Sequence, residues 1–246
     1  MSKVYFFSDV HLGLGSREQD RLKEDRVLEF LAMVGKDADE LYIVGDLFDA
    51  WIEYKSVIPK GHHRLFTKLE ELTRKGITVH FLVGNHDFWI RDFFTTELGI
   101  KTYLHPIETI IDGKRFYIHH GDGLALNDTG YLILKKVLRN PVAIFLYRWV
   151  HPDIGYGLAR STSKNSRSHT ATKDYGERDG MIAAATKKIS EGFDAVIMGH
   201  RHNPVRQEIG NGVYINLGDW MSFNTYAVAE NGTLKLLTFT DSTNGQ

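Results

Sequence analysis

The sequence predicts a layered α/β sandwich with mixed sheets, on three observations. Short apolar and aromatic runs alternate with amphipathic helical patterns through the first half. The last part strings short strands together through tight turns, Asn211-Gly212 and Asn231-Gly232 among them. The third is composition: 42% hydrophobic and 25% charged residues are the proportions of a globular chain with a full core. Strands joined by helices run parallel and strands joined by tight turns run antiparallel, so both pairings belong in this fold.

Lys3–Ser8 is apolar and aromatic and stops at Asp9, as a buried strand does. Val27, Phe30, Leu31 and Val34 recur at i, i+3, i+4 and i+7, one face of an amphipathic helix. Glu40–Gly45 is a second buried strand, and Leu65, Phe66, Leu69 and Leu72 mark the helix behind it. Ile77–Val83 is the third strand, stopped by Gly84. Ile107–Asp112 and Lys114–His119 flank Asp112-Gly113, a pair suited to the positive φ of a hairpin turn. Asp179–Ser190 reads as helix and Phe193–Met198 as a strand ended by Gly199. Val205–Ile209, Val213–Leu217, Thr225–Ala229 and Thr233–Phe239 complete the β-rich end. Ser161–Lys173 is the most polar, loop-like stretch and reads as an insertion.

Twelve histidines stand against no cysteine at all. That excludes disulfides, thiolate zinc sites, iron–sulfur clusters and a cysteine nucleophile. A metal would be held by imidazole, carboxylate, amide or water, a set that suits Mn, Fe, Zn or Mg. Lys+Arg 30 against Asp+Glu 31 gives a formal charge of −1, so no global field draws the chain to nucleic acid. Asp9 interrupts the N-terminal apolar run too early for a signal peptide. No apolar run approaches the roughly 18 residues of a membrane span. With 246 residues and no repeat or low-complexity linker, a single cytoplasmic domain is expected. Oligomeric state has no signal in the sequence.

Five polar clusters fall where strands end: Asp9-Val10-His11, Gly45-Asp46-Leu47-Phe48-Asp49, Gly84-Asn85-His86-Asp87, His119-His120-Gly121-Asp122 and Gly199-His200-Arg201-His202. Ligands of α/β folds bind at the carboxyl ends of strands, so five such ends can converge on one point. Each cluster alone reads as an ordinary turn or a packed strand end. Together they supply the hard and borderline donors of a two-metal site.

This order of motifs, D-x-H, G-D-x-x-D, G-N-H-D, H-G-D and G-H-x-H, resembles the calcineurin-like metallophosphoesterases. The resemblance implies an αββα sandwich with two mixed sheets and a helical insertion, residues 128–173, as a lid. It implies two divalent ions, Mn²⁺ before Zn²⁺ or Fe²⁺. Asp9, His11, Asp46 and His202 would hold one, and Asp46, Asn85, His120 and His200 the other. Such a pair, about 3.5–4 Å apart, acidifies a water and clamps a phosphoryl oxygen during in-line attack. By the same resemblance His86 faces the leaving group, with Asp49 suited to hold its ring. Asp87 and Asp122 would fix loops, with Asp122 also placed to meet substrate.

Gly45–Ile52, Gly84–Phe88, Gly121–Leu124, Asp128–Tyr131 and Leu217–Trp220 are similar to one branch of that family, over roughly Lys3 to Phe239. The branch hydrolyses UDP-2,3-diacylglucosamine in lipid A synthesis, releasing UMP and 2,3-diacylglucosamine 1-phosphate. The resemblance therefore implies a UDP-diacylglucosamine-type lipid as substrate, no nucleic-acid partner, and a peripheral place on the inner face of the inner membrane. Two positions depart from the branch, which has Arg in place of His86 and Glu in place of Asp49. Tyr131–Val150 is apolar on most faces yet carries Lys135, Lys136, Arg139 and Arg148. That composition suits a core helix or a surface meeting anionic lipid. Arg160, Lys164, Arg167 and Lys173 follow on the polar stretch as pyrophosphate contacts or a solvated loop. The alternatives are a phosphoesterase for a soluble nucleotide or other phosphoester, and a non-catalytic metal-binding scaffold.

Overall fold

The computed structural model describes residues 2–124, 135–159, 161 and 180–240. Along the chain run β1 (Lys3–Phe7), α1 (Arg17–Val34), β2 (Glu40–Val44), α2 (His63–Arg74), β3 (Thr78–Leu82), α3 (Phe93–Thr96) and β4 (Lys101–Tyr103). Then come β5 (Ile107–Ile111), β6 (Lys114–His119), α4 (Pro141–Tyr147), α5 (Gly180–Ser190), β7 (Ala195–Met198), β8 (Val205–Ile209), β9 (Gly212–Asn216), β10 (Thr225–Glu230) and β11 (Thr233–Thr238). One sheet has the order β11-β10-β1-β2-β3-β4, the other β5-β6-β7-β9-β8. Both are mixed, as expected. β1, β2, β3 and β4 pair in parallel, and so do β6, β7 and β9, while β10, β11, β5 and β8 pair antiparallel.

Strand alternation sorts the side chains into layers. Tyr5 and Phe7 of β1 point to α1 and α2, where they pack with Val27, Phe30, Leu31, Leu65 and Leu69. Val4 and Phe6 point the other way, onto Phe116, Ile118, Ile197 and Ile215 of the second sheet. The outer face of that sheet carries Val196, Met198 and Tyr214 against Met181 and Ala185 of α5. The result is the four-layer αββα sandwich. α1 starts at a capping box, in which Ser16 Oγ accepts the Gln19 amide at 3.2 Å and Gln19 Oε1 accepts the Ser16 amide at 3.1 Å.

The parallel pairings bring the carboxyl ends of β1, β2 and β3 side by side, and likewise those of β6 and β7. Beyond β1 and β2 the pairing continues into the loops. Asp9, His11 and Leu12 amides donate to Gly45, Asp46 and Leu47 carbonyls at 3.1, 3.0 and 3.0 Å. α4 has no buried residue. Of the two readings of Tyr131–Val150, the surface reading fits the part described, since Val142, Phe145, Leu146 and Trp149 are all exposed.

Candidate metal centre

The strand ends meet. Asp9, His11 and His202 form one group of side chains whose donor atoms could hold a cation; Asp46, His120 and His200 form another. A third comprises His11, Asp46 and His86. Asp46 links them: its Oδ2 lies 3.7 Å from His11 Nε2, 3.3 Å from His120 Nε2 and 3.9 Å from His86 Nε2. Asn85 Oδ1 lies 3.1 Å from His120 Nε2, on the same side. All seven residues expected to hold metal therefore lie in one centre, with Asp9, His11, Asp46 and His120 buried and the other three half-buried.

The backbone is bent to achieve this. Eight described non-glycine residues have positive φ, and five are Asp9 (56°), His11 (50°), Asp46 (52°), His200 (71°) and His202 (57°). The left-handed region costs an ordinary residue about 1 kcal/mol or more, and such strain collects at functional sites. Two glycines make room. A Cβ on Gly84 would stand 2.1 Å from Asp46 Oδ1, and one on Gly199 would stand 2.4 Å from Asp9 Oδ2.

Each carboxylate uses one oxygen for anchoring and turns the other inward. Asp9 Oδ2 accepts Ser8 Oγ at 2.5 Å and the His200 amide at 2.9 Å. Asp9 Oδ1 is buried with no hydrogen-bond partner among the described residues, 3.4 Å from His202 Nε2. Asp46 Oδ1 accepts the His86 amide at 2.9 Å, leaving Oδ2 to the imidazoles. His120 Nδ1 donates to the Val44 carbonyl at 2.9 Å, which turns Nε2 toward Asp46 and Asn85. A buried carboxylate oxygen without a donor is expensive to desolvate, and a cation satisfies it.

The electrostatics agree. Burial drives His11 well below the ordinary imidazole value and, with neighbouring His120, takes His200 down to about 4, so both rings are neutral donors. Burial also opposes a charge on His120, yet Asp46, Asp9 and Asp122 raise it to about 10. That is a field that draws positive charge into the centre.

Three further carboxylate residues flank the centre. Asp49 holds His86 through its main chain, the carbonyl accepting from His86 Nδ1 at 3.0 Å. Its carboxylate lies 3.7 Å from His11 Nδ1. Asp122 is buried and carries Lys135 and Arg139 at 2.7 and 3.3 Å. Asp87 fixes loops as expected, accepting the Gly84 and Leu47 amides at 2.7 Å each. Burial and neighbouring Asp46 push its carboxyl up to about 7. Arg160, Lys164, Arg167 and Lys173 lie outside the described residues, as do 128–134 and the rest of 162–173.

Sequence reading missed Asp219. Its Oδ1 accepts the amides of Met221, Ser222 and Phe223 at 3.1, 2.8 and 3.2 Å, and its Oδ2 faces His202 Nδ1 at 3.6 Å. The signal was present, since Gly218-Asp219 follows β9 just as Gly45-Asp46 follows β2. Asn216 was missed too. Its side-chain amide donates to the Gly199 carbonyl at 2.7 Å and so fixes the loop that carries His200 and His202.

A strand-end cluster of carboxylates and imidazoles on an αββα sandwich belongs to the metal-dependent phosphoesterases, and this chain is one of them. It is a member of the calcineurin-like phosphoesterase family, whose model matches residues 2–204. It is 35% identical to UDP-2,3-diacylglucosamine hydrolase of Porphyromonas gingivalis, over 98% of this chain and 98% of that one. The UDP-2,3-diacylglucosamine hydrolase of Stutzerimonas stutzeri is 30% identical over 88% of this chain and 90% of its own. A solved archaeal phosphodiesterase shares the fold at a TM-score of 0.50 and 13% identity, over 96% of this chain and 99% of that one.

Proposed function

We propose that this chain is a dinuclear metal hydrolase that cleaves the pyrophosphate of UDP-2,3-diacylglucosamine, yielding UMP and 2,3-diacylglucosamine 1-phosphate. The observation that carries the two-ion reading is Asp46 Oδ2, placed between the imidazoles of His11 and His120. Asp9, His11, Asp46 and His202 would hold one ion, Mn²⁺ by preference. Asp46, Asn85, His120 and His200 would hold the other. When bound, the ions supply Lewis acidity, polarising the phosphoryl group and acidifying the attacking water.

The chain's own groups do the rest. His86 Nδ1 is tied to the Asp49 carbonyl, which points Nε2 toward the centre. That Nε2 is placed to donate a hydrogen bond or proton to the departing phosphate oxygen. The relatives' names support the lipid substrate. So does the exposed apolar surface of α4 and the segment after it, where Phe145, Trp149, Ile154 and Leu158 are each more than half exposed. Among the described residues no helix is long and apolar enough to cross a membrane. A peripheral place on the inner face of the inner membrane, with the acyl chains against this surface, fits both facts.

The test is UMP release from UDP-2,3-diacylglucosamine by the Mn²⁺-loaded protein. Turnover of a soluble phosphodiester without UMP release sinks the lipid assignment. Metal analysis finding fewer than two ions per chain sinks the dinuclear one.

A further inference from the structure

Two cations share one carboxylate beside the metal centre. Lys135 Nζ stands 2.7 Å from Asp122 Oδ2 and also donates to the Asp122 carbonyl at 3.0 Å. Arg139 Nη2 reaches the same carboxylate oxygen at 3.3 Å and the Gly84 carbonyl at 3.2 Å. Lys135 alone balances Asp122, so the guanidinium adds an excess positive charge at this point.

Its position is specific. Gly84 precedes Asn85, and Asp122 lies two residues after His120, so Arg139 is fastened to the two loops that carry that amide and that imidazole. The Phe88 ring, 5.3 Å from Cζ, fixes the guanidinium plane. The preceding turn is anchored as well, Trp89 Nε1 donating to the Leu138 carbonyl at 2.9 Å. Both bonds of the guanidinium are made by Nη2; Nη1 and Nε have no hydrogen-bond partner among the described residues. A guanidinium has five N–H donors in a planar fork that matches phosphate oxygens two at a time. Asn140, the next residue, caps the exposed apolar α4. Arg139 thus stands at the junction between the metal centre and the apolar surface.

We propose that Arg139 binds the phosphoryl group of the pyrophosphate that is not attacked, and so selects pyrophosphate diesters over single phosphoesters. This rests on the pyrophosphate reading above. The attacked phosphoryl group lies among the donors around Asp46, and its neighbour, on the side leading to α4, meets the open edge of Arg139. Asp122 and Lys135 act as positioning residues that hold the guanidinium there. No pyrophosphate-binding role is required of Asp122 itself.

The test compares Arg139→Gln and Arg139→Lys with wild type, all loaded with Mn²⁺, by calorimetry with two probes. UDP-glucose presents a soluble pyrophosphate diester, and UMP a single phosphoryl group. Arg139→Gln is expected to weaken UDP-glucose on the order of 10- to 100-fold, the loss of a charged hydrogen bond, and to leave UMP within about twofold. Arg139→Lys, which keeps the charge and loses the fork, falls between. Equal weakening of both probes, no weakening of either, loss of Mn²⁺ from Arg139→Gln, or no wild-type binding of UDP-glucose each overturns the proposal. If wild type binds UDP-glucose through Arg139 but releases no UMP from UDP-2,3-diacylglucosamine, the lipid assignment fails and this one stands.

Discussion

Asp46 Oδ2 stands 3.3 Å from His120 Nε2 while Asp46 Oδ1 is held by the His86 amide at 2.9 Å. One carboxylate thus ties the loop after β3 to the strand end of β6 and offers a single oxygen to both halves of the centre. Asp46→Ala removes that oxygen from both proposed ion sites. It is expected to retain neither Mn²⁺ ion and to show no measurable turnover. Metal analysis after dialysis and a phosphodiesterase assay read this, and circular dichroism checks the fold.

Gly84 is where the backbone allows that approach. An alanine there puts its Cβ 2.1 Å from Asp46 Oδ1 and 2.6 Å from the Asp46 amide nitrogen, and the latter belongs to the main chain and cannot swing away. Gly84→Ala should lower stability by about 3 kcal/mol, as overpacking against a rigid partner does. It should also weaken Mn²⁺ binding. Urea unfolding and metal titration measure the two effects; unchanged values in both would show that the loop moves freely.

Asp219 orients His202 from behind. Asp219→Asn keeps a carbonyl oxygen for the amides of Met221, Ser222 and Phe223, but removes the charge 3.6 Å from His202 Nδ1. The expected result is a 10- to 100-fold loss of affinity for one ion (on the order found for such supporting groups), with the other retained. Two-phase metal titration separates the sites, and a uniform loss at both would reject the assignment of His202 to one of them.

His86 has its Nδ1 on the Asp49 carbonyl and its Nε2 toward the centre. His86→Ala should keep both ions and lower kcat on the order of 10²–10⁴-fold, as loss of a general acid does. Retained kcat with lost metal would make His86 a ligand instead. Because the Nδ1 bond is accepted by the Asp49 main-chain carbonyl, Asp49→Asn should leave that bond in place.

The parts of this centre that sequence made legible are those at the ends of long apolar runs. β1, β2, β3, β6 and β7 each read as a buried strand, and each delivers its donors within four residues of its end. α3 and β4 escaped because four and three residues are too short to show a period. Asp49 shows a different limit: its residue type pointed to its carboxylate, and the bond to His86 Nδ1 from its main-chain carbonyl, which every residue possesses, left no mark in the sequence. Asp122 shows a third, since its partners Lys135 and Arg139 come from a segment whose packing has no local signature. The apolar pattern of α4 was equally compatible with core and surface, and the exposure of its side chains among the described residues decides between them.

His62 allows a pH prediction away from the metal centre. It is 5% exposed, with its ring against Phe48 at 4.8 Å, and burial takes it down to about 4 despite the pull of Asp20. A histidine depressed in the folded state is protonated first in the unfolded chain. Its contribution is therefore intact above about pH 6.5 and is lost as the pH falls toward 4. In that window the group alone should remove about 1.4 kcal/mol of stability per pH unit, or about 3 kcal/mol in all. His119 and His200 are depressed to about 4 as well and slope the same way, so the measurement is a difference. His62→Phe, whatever its baseline stability, should have a shallower fall in urea-unfolding free energy between pH 6.5 and 4 than wild type. Identical slopes would mean that His62 is solvated enough to take up its proton in the folded protein.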